Sequence, residues 1–115
     1  MANPMHDYTV QEILNKTYNY TSYEAETMAN IGTTLDSFDN LGLSSTNTAR
    51  EIILIDVTAG GSAAGDSGHI SLSINDGDTI TLKVANLPFT FDKFPIEKVE
   101  AAGHANDDLQ VIAFF

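Results

Sequence analysis

Two short stretches of alternating residues constrain the fold of this chain more than any other feature. Every second residue is apolar in His69–Ile74, and residues 79–84 repeat the alternation. A period of two residues places these apolar side chains on one face of a strand. The residues between the stretches, Asn-Asp-Gly-Asp at 75–78, are typical of a hairpin turn. The sequence therefore predicts an antiparallel β-hairpin with one buried face.

Further apolar segments after residue 50 predict more short strands. Residues 51–58 begin apolar on both faces, Phe89–Phe91 reads as a short edge segment, and residues 109–115 form a closing strand. Residues 96–101 are a less regular strand, because each face mixes charged and apolar residues. Several short strands at this spacing predict a mainly β domain, a small antiparallel β-sandwich or barrel, over about residues 50–115.

A helix is predicted near the N-terminus. Thr9 and Glu12 fit a capping box, in which the threonine caps the helix and the glutamate reaches back to it. The helix runs over about residues 9–20 and is too short to be stable alone, so it must dock on something. It docks either on this protein's own β domain or on a partner or neighbouring copy. We expect its apolar stripe to bind a partner: Val10, Ile13, Leu14 and Tyr18.

The chain changes character near residue 50, in the polar run 44–48. Residues 1–49 contain one basic residue, Lys16, and many Thr, Ser, Asn and Tyr residues. Weak helical periodicity in residues 23–31 predicts a second short helix that Gly32 ends, followed by turn-rich sequence. We therefore expect residues 1–49 to be an arm that lies across another surface, and residues 50–115 to be the β domain.

Composition excludes several classes of partner. The chain carries 16 acidic residues against 5 basic ones, for a net charge of −11. Binding to nucleic acid or to an anionic membrane needs lysine and arginine, so we expect neither partner. The absence of cysteine excludes disulfides and thiolate chemistry. No apolar run reaches the roughly 20 residues that span a bilayer.

No residue pattern predicts catalysis. His104, Asp107 and Asp108 read as a polar turn, and the two aspartates around Gly77 lack the further oxygen ligands of a calcium loop. Residues 59–68 are rich in glycine and alanine but lack the lysine ending of a phosphate-binding loop, so we expect an exposed, mobile loop. We therefore predict no enzymatic activity, no cofactor and no metal.

An aromatic cluster is the remaining candidate site. Phe89, Phe91 and Phe94 lie within six residues of sequence. Either they close the open end of the small sheet, or they form a subunit interface, where aromatic residues are enriched. With the tyrosines of the arm, the second interpretation is typical of an assembly component, and we assign the three phenylalanines to an oligomer interface.

Two parts of the sequence resemble small virion structural proteins of tailed bacteriophages. Residues 9–18 (TVQEILNKTY) are similar to the opening of such proteins. Residues 79–84, 94–103 and 109–115 are similar to their ending, in which a segment like ile-x-lys-val-x-ala-x-gly leads to a final apolar strand. Residues 21–68 match nothing in that pattern.

The resemblance implies a particle component. We expect a capsid decoration (cement) protein that stabilises the shell, forms a homotrimer, binds the major capsid protein or other virion proteins, and is made in the host cytoplasm. The acidic charge places it on the outer head surface, away from the packaged genome. A neck, head-fibre or tail-fibre base adaptor is the alternative within this class, and a carbohydrate- or peptide-binding β module is the alternative outside it.

Overall fold

The computed structural model describes residues 20–65 and 67–115. The predicted helix at about residues 9–20 and its stripe Val10, Ile13, Leu14 and Tyr18 therefore lie outside the described residues, except for Tyr20. Eight strands and one short 3-10 helix, Val84–Asn86, make up the described chain. The strands are β1 Tyr23–Ile31, β2 Asp36–Ser37, β3 Glu51–Asp56, β4 His69–Ile74, β5 Ile80–Lys83, β6 Phe89–Phe91, β7 Val99–Ala102 and β8 Asp107–Phe114.

The strands form two four-stranded antiparallel sheets. Sheet A has the order β1-β8-β3-β6, and sheet B has the order β2-β7-β4-β5. The pairs are nested, with β1 on β8, β2 on β7, β3 on β6 and β4 on β5. Such nesting is the eight-stranded jelly roll, a long hairpin rolled into two facing sheets. The prediction of a mainly β, antiparallel sandwich is confirmed.

The sandwich begins well before the boundary predicted near residue 50. Residues 23–31, predicted as a short helix, form β1, which pairs with β8 from Tyr23 opposite Phe114 to Met28 opposite Leu109. Most side chains of β1 are exposed, so its sequence lacks the alternation of apolar and polar residues that would predict a strand. The segment that follows supplies Phe38 and Leu41 to the core, with 3% and 0% exposure. Residues 23–49 therefore belong to the sandwich and not to the predicted arm.

The core lies between the inner faces of the two sheets. Sheet A supplies Ile52 and Leu54, which lie opposite Ala113 and Val111 of β8. Sheet B supplies Leu72 from β4, which is fully buried. Complete burial of each such aliphatic side chain stabilises the fold by about 1.5–3 kcal/mol. Connecting segments close the ends of the sandwich with further fully buried residues, Ala49 and Ile96, whose backbones pair with each other.

The predicted hairpin is confirmed as β4 and β5, with Ile70 opposite Leu82. Asn75 and Asp76 have φ values of 54° and 58°, and the Gly77 N–H donates to the Ile74 carbonyl oxygen at 3.0 Å. The Asn75 side chain also fixes the segment before β7. Its amide donates to the Pro95 carbonyl oxygen at 2.9 Å, and its Oδ1 accepts from the N–H groups of residues 97 and 98 at 2.6 and 3.1 Å. The turn therefore connects two parts of sheet B.

The glycine-rich loop after β3 is tied to the sandwich by a buried carboxylate. Asp107 is fully buried at the start of β8. Its Oδ1 accepts hydrogen bonds from the Ser62 hydroxyl at 3.0 Å and the Ala63 N–H at 2.6 Å. The loop was predicted to be exposed and mobile. Its glycines at 60, 61 and 65 are indeed exposed. Residues 62 and 63, however, are attached to the sandwich by Asp107, which the sequence predicts to lie in a polar turn.

Candidate functional site

The outer face of sheet A is the most unusual surface of the described chain. Strand register gives three outward rows across the sheet. They are Tyr23–Phe114–Glu51, Ala25–Ile112–Ile53–Thr90 and Thr27–Gln110–Ile55. The outer face of an antiparallel sandwich is ordinarily polar, because it meets water. Here we define the apolar face as Tyr20, Tyr23, Ile53, Ile55, Ile112 and Phe114.

Charge is nearly absent from this face. Glu51 is the one charged residue in the three rows. Tyr23 is 67% exposed, while Ile53, Ile112 and Phe114 are half-buried. The chain carries 16 acidic residues and a net charge of −11, so three rows with a single carboxylate are poor in charge for this protein.

An aromatic cluster occupies one end of the apolar face. The ring of Tyr20 lies 5.7 Å from that of Phe114, and the ring of Tyr23 lies 6.4 Å from it, measured between centroids. Both contacts are tilted, a favourable geometry for aromatic pairs. The backbone is held beside them, because the Thr21 N–H donates to the Phe115 carbonyl oxygen at 2.8 Å.

The Tyr20 hydroxyl is in an acidic environment. Burial raises the pKa of Tyr20 above its ordinary value of 10.0, and the nearby carboxylates of Glu51 and Asp92 raise it further. Arg50 acts in the opposite direction with a smaller effect. Tyr20 is therefore neutral over the physiological range and packs as an aromatic residue with a polar end.

The three phenylalanines assigned to an oligomer interface do not share a surface. Phe89 and Phe91 lie opposite Leu54 and Ile52, so they belong to the inner face of sheet A and pack against the core. Phe94 is 47% exposed, and its ring meets that of Phe91 edge-on at 4.8 Å. Phe89 and Phe91 thus close the edge of the sandwich, while Phe94 is the member of the set that is available to a partner.

Sequence reasoning missed the apolar face, although its signal is present. Residues 51–58 and 109–115 are apolar on both faces, whereas residues 69–74 are apolar on one face. Strands with apolar residues on both faces are expected in the centre of a sheet whose two faces are both covered. The sequence does not show which of these residues lie side by side. The strand register does, because β3 pairs with β8 and Ile53 lies opposite Ile112 on the outer face.

The acidic and histidine side chains do not assemble into a metal centre. Among residues 20–65 and 67–115, no group of three or more metal-ligating side chains comes together. His104 is exposed, Asp107 is buried, and the Asp108 carboxylate accepts from the Asn30 N–H at 2.9 Å. One oxygen each of Asp56 and Asp107 accepts no hydrogen bond from the described protein. Within the same residues, no helix is long and apolar enough to cross a membrane.

Comparisons with known proteins do not assign the chain to a family. No protein-family model and no curated protein sequence matches it. Among solved structures, a crystal structure of a prolyl-4-hydroxylase from Pseudomonas putida is similar, with a TM-score of 0.45 and 11% sequence identity. The match covers 95% of this chain and 60% of that chain. A likeness this distant carries no argument about activity, and the function rests on the surfaces described above.

Proposed function

We propose that this chain is a non-enzymatic virion structural protein that decorates the outer surface of a tailed-phage head and stabilises the shell. The observation that carries the proposal is the apolar face of sheet A on an otherwise acidic jelly roll. The resemblance of residues 9–18 and 79–115 to phage virion proteins supports the class, and the jelly roll is an architecture that capsid domains use.

The apolar face supports a protein partner. Apolar side chains that solvent still reaches, grouped on one face, are a candidate interaction site in a soluble protein. Ile53 and Ile112 form its centre, and Tyr23 and Phe114 add aromatic area at one end. Burial of apolar area stabilises a complex by about 25 cal/mol per Å² before the costs of association are subtracted. A shell protein that covers this face would therefore gain affinity without needing to pair charges.

Two other parts of the chain complete the proposed contacts. The predicted stripe of the N-terminal arm, with Leu14 near its centre, is the second apolar surface that binds the major capsid protein. Phe94, exposed beside Pro95, is the proposed contact between subunits of a homotrimer.

Binding of this kind stabilises a capsid by mass action. A ligand that binds the assembled shell and not its free subunits shifts the equilibrium toward the shell. A trimer that engages several shell subunits at once adds avidity to each weak contact. The net charge of −11 keeps the protein away from packaged nucleic acid and favours the outer surface.

Electron microscopy of phage particles labelled with an antibody against this chain tests the proposal. Label spread over the whole head is the expected result. Label confined to one vertex or to the tail would assign the chain to a neck or fibre base instead. Particles without label, in a preparation where the antibody detects the free protein, would overturn the virion assignment.

A carbohydrate- or peptide-binding module is the second candidate. Jelly rolls also serve as lectin domains, and the exposed ring of Tyr23 beside Tyr20 and Phe114 offers an aromatic platform. Saturable binding of one glycan on an array, lost in Y23A and retained in F94A, would favour this function over decoration of a capsid.

A further inference from the structure

The strands at the edges of the two sheets differ greatly in length. Sheet A ends in β1 and β6, and sheet B ends in β2 and β5. β6, β2 and β5 have three, two and four residues, whereas β1 has nine. An edge strand presents unpaired backbone groups to its surroundings, and folded proteins commonly keep such strands short. Of the edges in the described sandwich, β1 is therefore the one that is long enough to pair with a complete strand.

The hydrogen bonds at the end of β8 show which of its residues bond to β1. The Phe115 N–H donates to the Ser22 carbonyl oxygen, beside β1, at 2.9 Å. The Phe114 carbonyl oxygen instead accepts from the Arg50 N–H, beside β3, at 2.7 Å. Backbone groups of successive residues point to opposite sides of a strand in an antiparallel sheet. The odd-numbered residues of β8 therefore bond to β1, and the even-numbered ones bond to β3.

The same alternation leaves every second residue of β1 with unpaired backbone groups. The residues of β1 that lie opposite the odd-numbered residues of β8 are Glu24, Glu26 and Met28. The residues that turn their N–H and C=O groups toward the free edge are Tyr23, Ala25 and Thr27. All three of these residues are exposed. Among residues 20–65 and 67–115, no other strand pairs with this side of β1.

The two faces of β1 differ in charge at this edge. The three residues with free backbone groups lie on the outer face of sheet A and are uncharged. Glu24 and Glu26 lie on the opposite face, where the Asn40 N–H donates to Glu26 Oε1 at 2.7 Å. A groove of about 420 Å³ lies beside Glu24 and is also lined by Asn47 and Phe115. A strand added at this edge would place every second side chain beside these carboxylates, where the groove has space for a long side chain.

A second copy of this chain is a poor partner for the edge. If two β1 strands paired antiparallel about Ala25, Glu24 of each copy would lie opposite Glu26 of the other. Like charges directly opposite each other destabilise a pair of strands. β1 contains no lysine or arginine to offset them, and each copy has a net charge of −11. The edge therefore favours a strand of opposite charge.

We propose that β1 binds an extended segment of a partner protein as an added strand of sheet A. The segment carries lysine or arginine at every second position, beside Glu24 and Glu26, and apolar residues between them that continue the apolar face. Residues 23–28 extend over about 20 Å, so about six residues of the partner are bound. Main-chain hydrogen bonds supply affinity, and the carboxylates supply specificity. The inference goes beyond the proposed function and does not depend on a location in the virion.

NMR spectroscopy of the full-length chain with synthetic peptides tests the pairing. The probe is a capped peptide of sequence TKVKVKT, and the control peptide is TEVEVET. In the free protein, the amides of Glu24 and Glu26 should exchange slowly with solvent, and those of Ala25 and Thr27 should exchange rapidly. The probe at ten times its Kd should slow exchange at Ala25 and Thr27 by about tenfold. The control peptide should bind at least about fivefold more weakly at low ionic strength.

Matched variants separate backbone pairing from general charge attraction. A25P removes an N–H that faces the free edge, a position where an edge strand tolerates proline. It should stay folded and bind the probe at least about tenfold more weakly, whereas A25V should bind as the unmodified chain does. The peptide TKPKPKT has the charge of the probe without the central N–H groups, and it should not bind. The double variant E24Q and E26Q keeps an acceptor for the Asn40 N–H and should bind the probe and the control peptide equally.

Several results would overturn the inference. Equal binding of TKPKPKT and the probe, or equal binding of the probe by A25P and the unmodified chain, would reduce the contact to charge attraction. Slow exchange at Ala25 and Thr27 in the chain alone would show that the edge is already covered. Loss of that protection on dilution would then identify a second copy as the cover. No saturable binding of the probe would reject the proposed partner chemistry, and none of these results bears on the virion assignment, which labelled particles test.

Discussion

The two sheets of the sandwich have similar inner faces and different outer faces. The outer face of sheet B carries Ser71, Thr81, Lys83 and Glu100, as expected for a surface in water. The corresponding face of sheet A carries isoleucines and aromatic rings. The fold needs apolar residues only between the sheets, so the additional apolar residues of sheet A are not explained by the stability of the sandwich. The proposed contact with a protein partner rests on this difference between the two outer faces.

The inner faces of the two sheets should contribute equally to the stability of the core. L54A in sheet A and L72A in sheet B each remove a fully buried side chain. Each should lower the free energy of unfolding by about 2–5 kcal/mol. Chemical denaturation measures this effect. A much smaller loss at Leu54 than at Leu72 would show that sheet A contributes little to the core and would break the comparison.

The outer faces should then respond differently to an added charge. I112D introduces a carboxylate at the centre of the apolar face, and T81D introduces one on the polar outer face of sheet B, on the edge strand β5. We expect I112D to weaken binding to phage heads by at least about tenfold, because a charge buried without a partner is costly. T81D should bind as the unmodified chain does. Sedimentation of particles with bound protein measures both, and equal loss in the two variants would contradict the assignment of sheet A.

Sheet B is also held by a polar contact at its β4–β5 turn. N75A removes the three hydrogen bonds by which the turn holds the segment before β7. Its free energy of unfolding should fall by about 1–3 kcal/mol, because two backbone N–H groups and a carbonyl lose their partners. N86A, at an exposed position, is the control. An unchanged denaturation midpoint in N75A would show that water replaces these bonds without cost.

At alkaline pH the response should come from the end of sheet A. The raised pKa of Tyr20 means that the folded chain favours the neutral phenol. This contribution to stability is fully present below pH 10.0 and is lost as the pH rises through the higher pKa of the folded state. Y20F should reduce the loss of stability above pH 10. Thermal unfolding across this range measures it, and identical alkaline profiles would contradict the packed position of the ring.

At acid pH a smaller response should come from sheet B. Lys98 Nζ lies 2.8 Å from Asp76 Oδ1 on the surface, and its hydrogen bond and charge lower the pKa of Asp76 from 3.8. The stability that this pair contributes is present above pH 3.8 and is lost as the pH falls through the lower pKa of the folded state. Both groups are exposed, so the effect is small. D76N should unfold with a slightly flatter acid profile, and a steeper one would contradict the pairing.

The β4–β5 hairpin could be predicted from the sequence, whereas the edge strand β1 could not. The alternation in residues 69–84 contains its own turn, so β4 and β5 follow from neighbouring residues alone. β1 could not be read in this way. It is an edge strand with mostly exposed side chains, and its partner β8 lies about as far along the chain as possible, with Tyr23 opposite Phe114. The boundary near residue 50 therefore separated strands that only tertiary pairing brings together.

The candidate site, too, could not be predicted without knowing which strands pair. The two-sided apolar runs of β3 and β8 were visible in the sequence, but not which side would remain outside. Phe89 and Phe91 were seen to share a face, and only their register opposite Leu54 and Ile52 showed that the face is the inner one. The predicted arm and its stripe lie outside the described residues and remain predictions.

A reconstruction of the phage head by electron cryomicroscopy would show which outer face of the sandwich meets the shell. The orientation of the jelly roll on the shell distinguishes the two outer faces without any substitution. We predict that the apolar face of sheet A, around Ile53 and Ile112, lies against the shell and that the serine and threonine face of sheet B points to solvent. A protein bound through sheet B, or a head that carries no density for this chain, would overturn the proposal that this chain decorates the head through its apolar face.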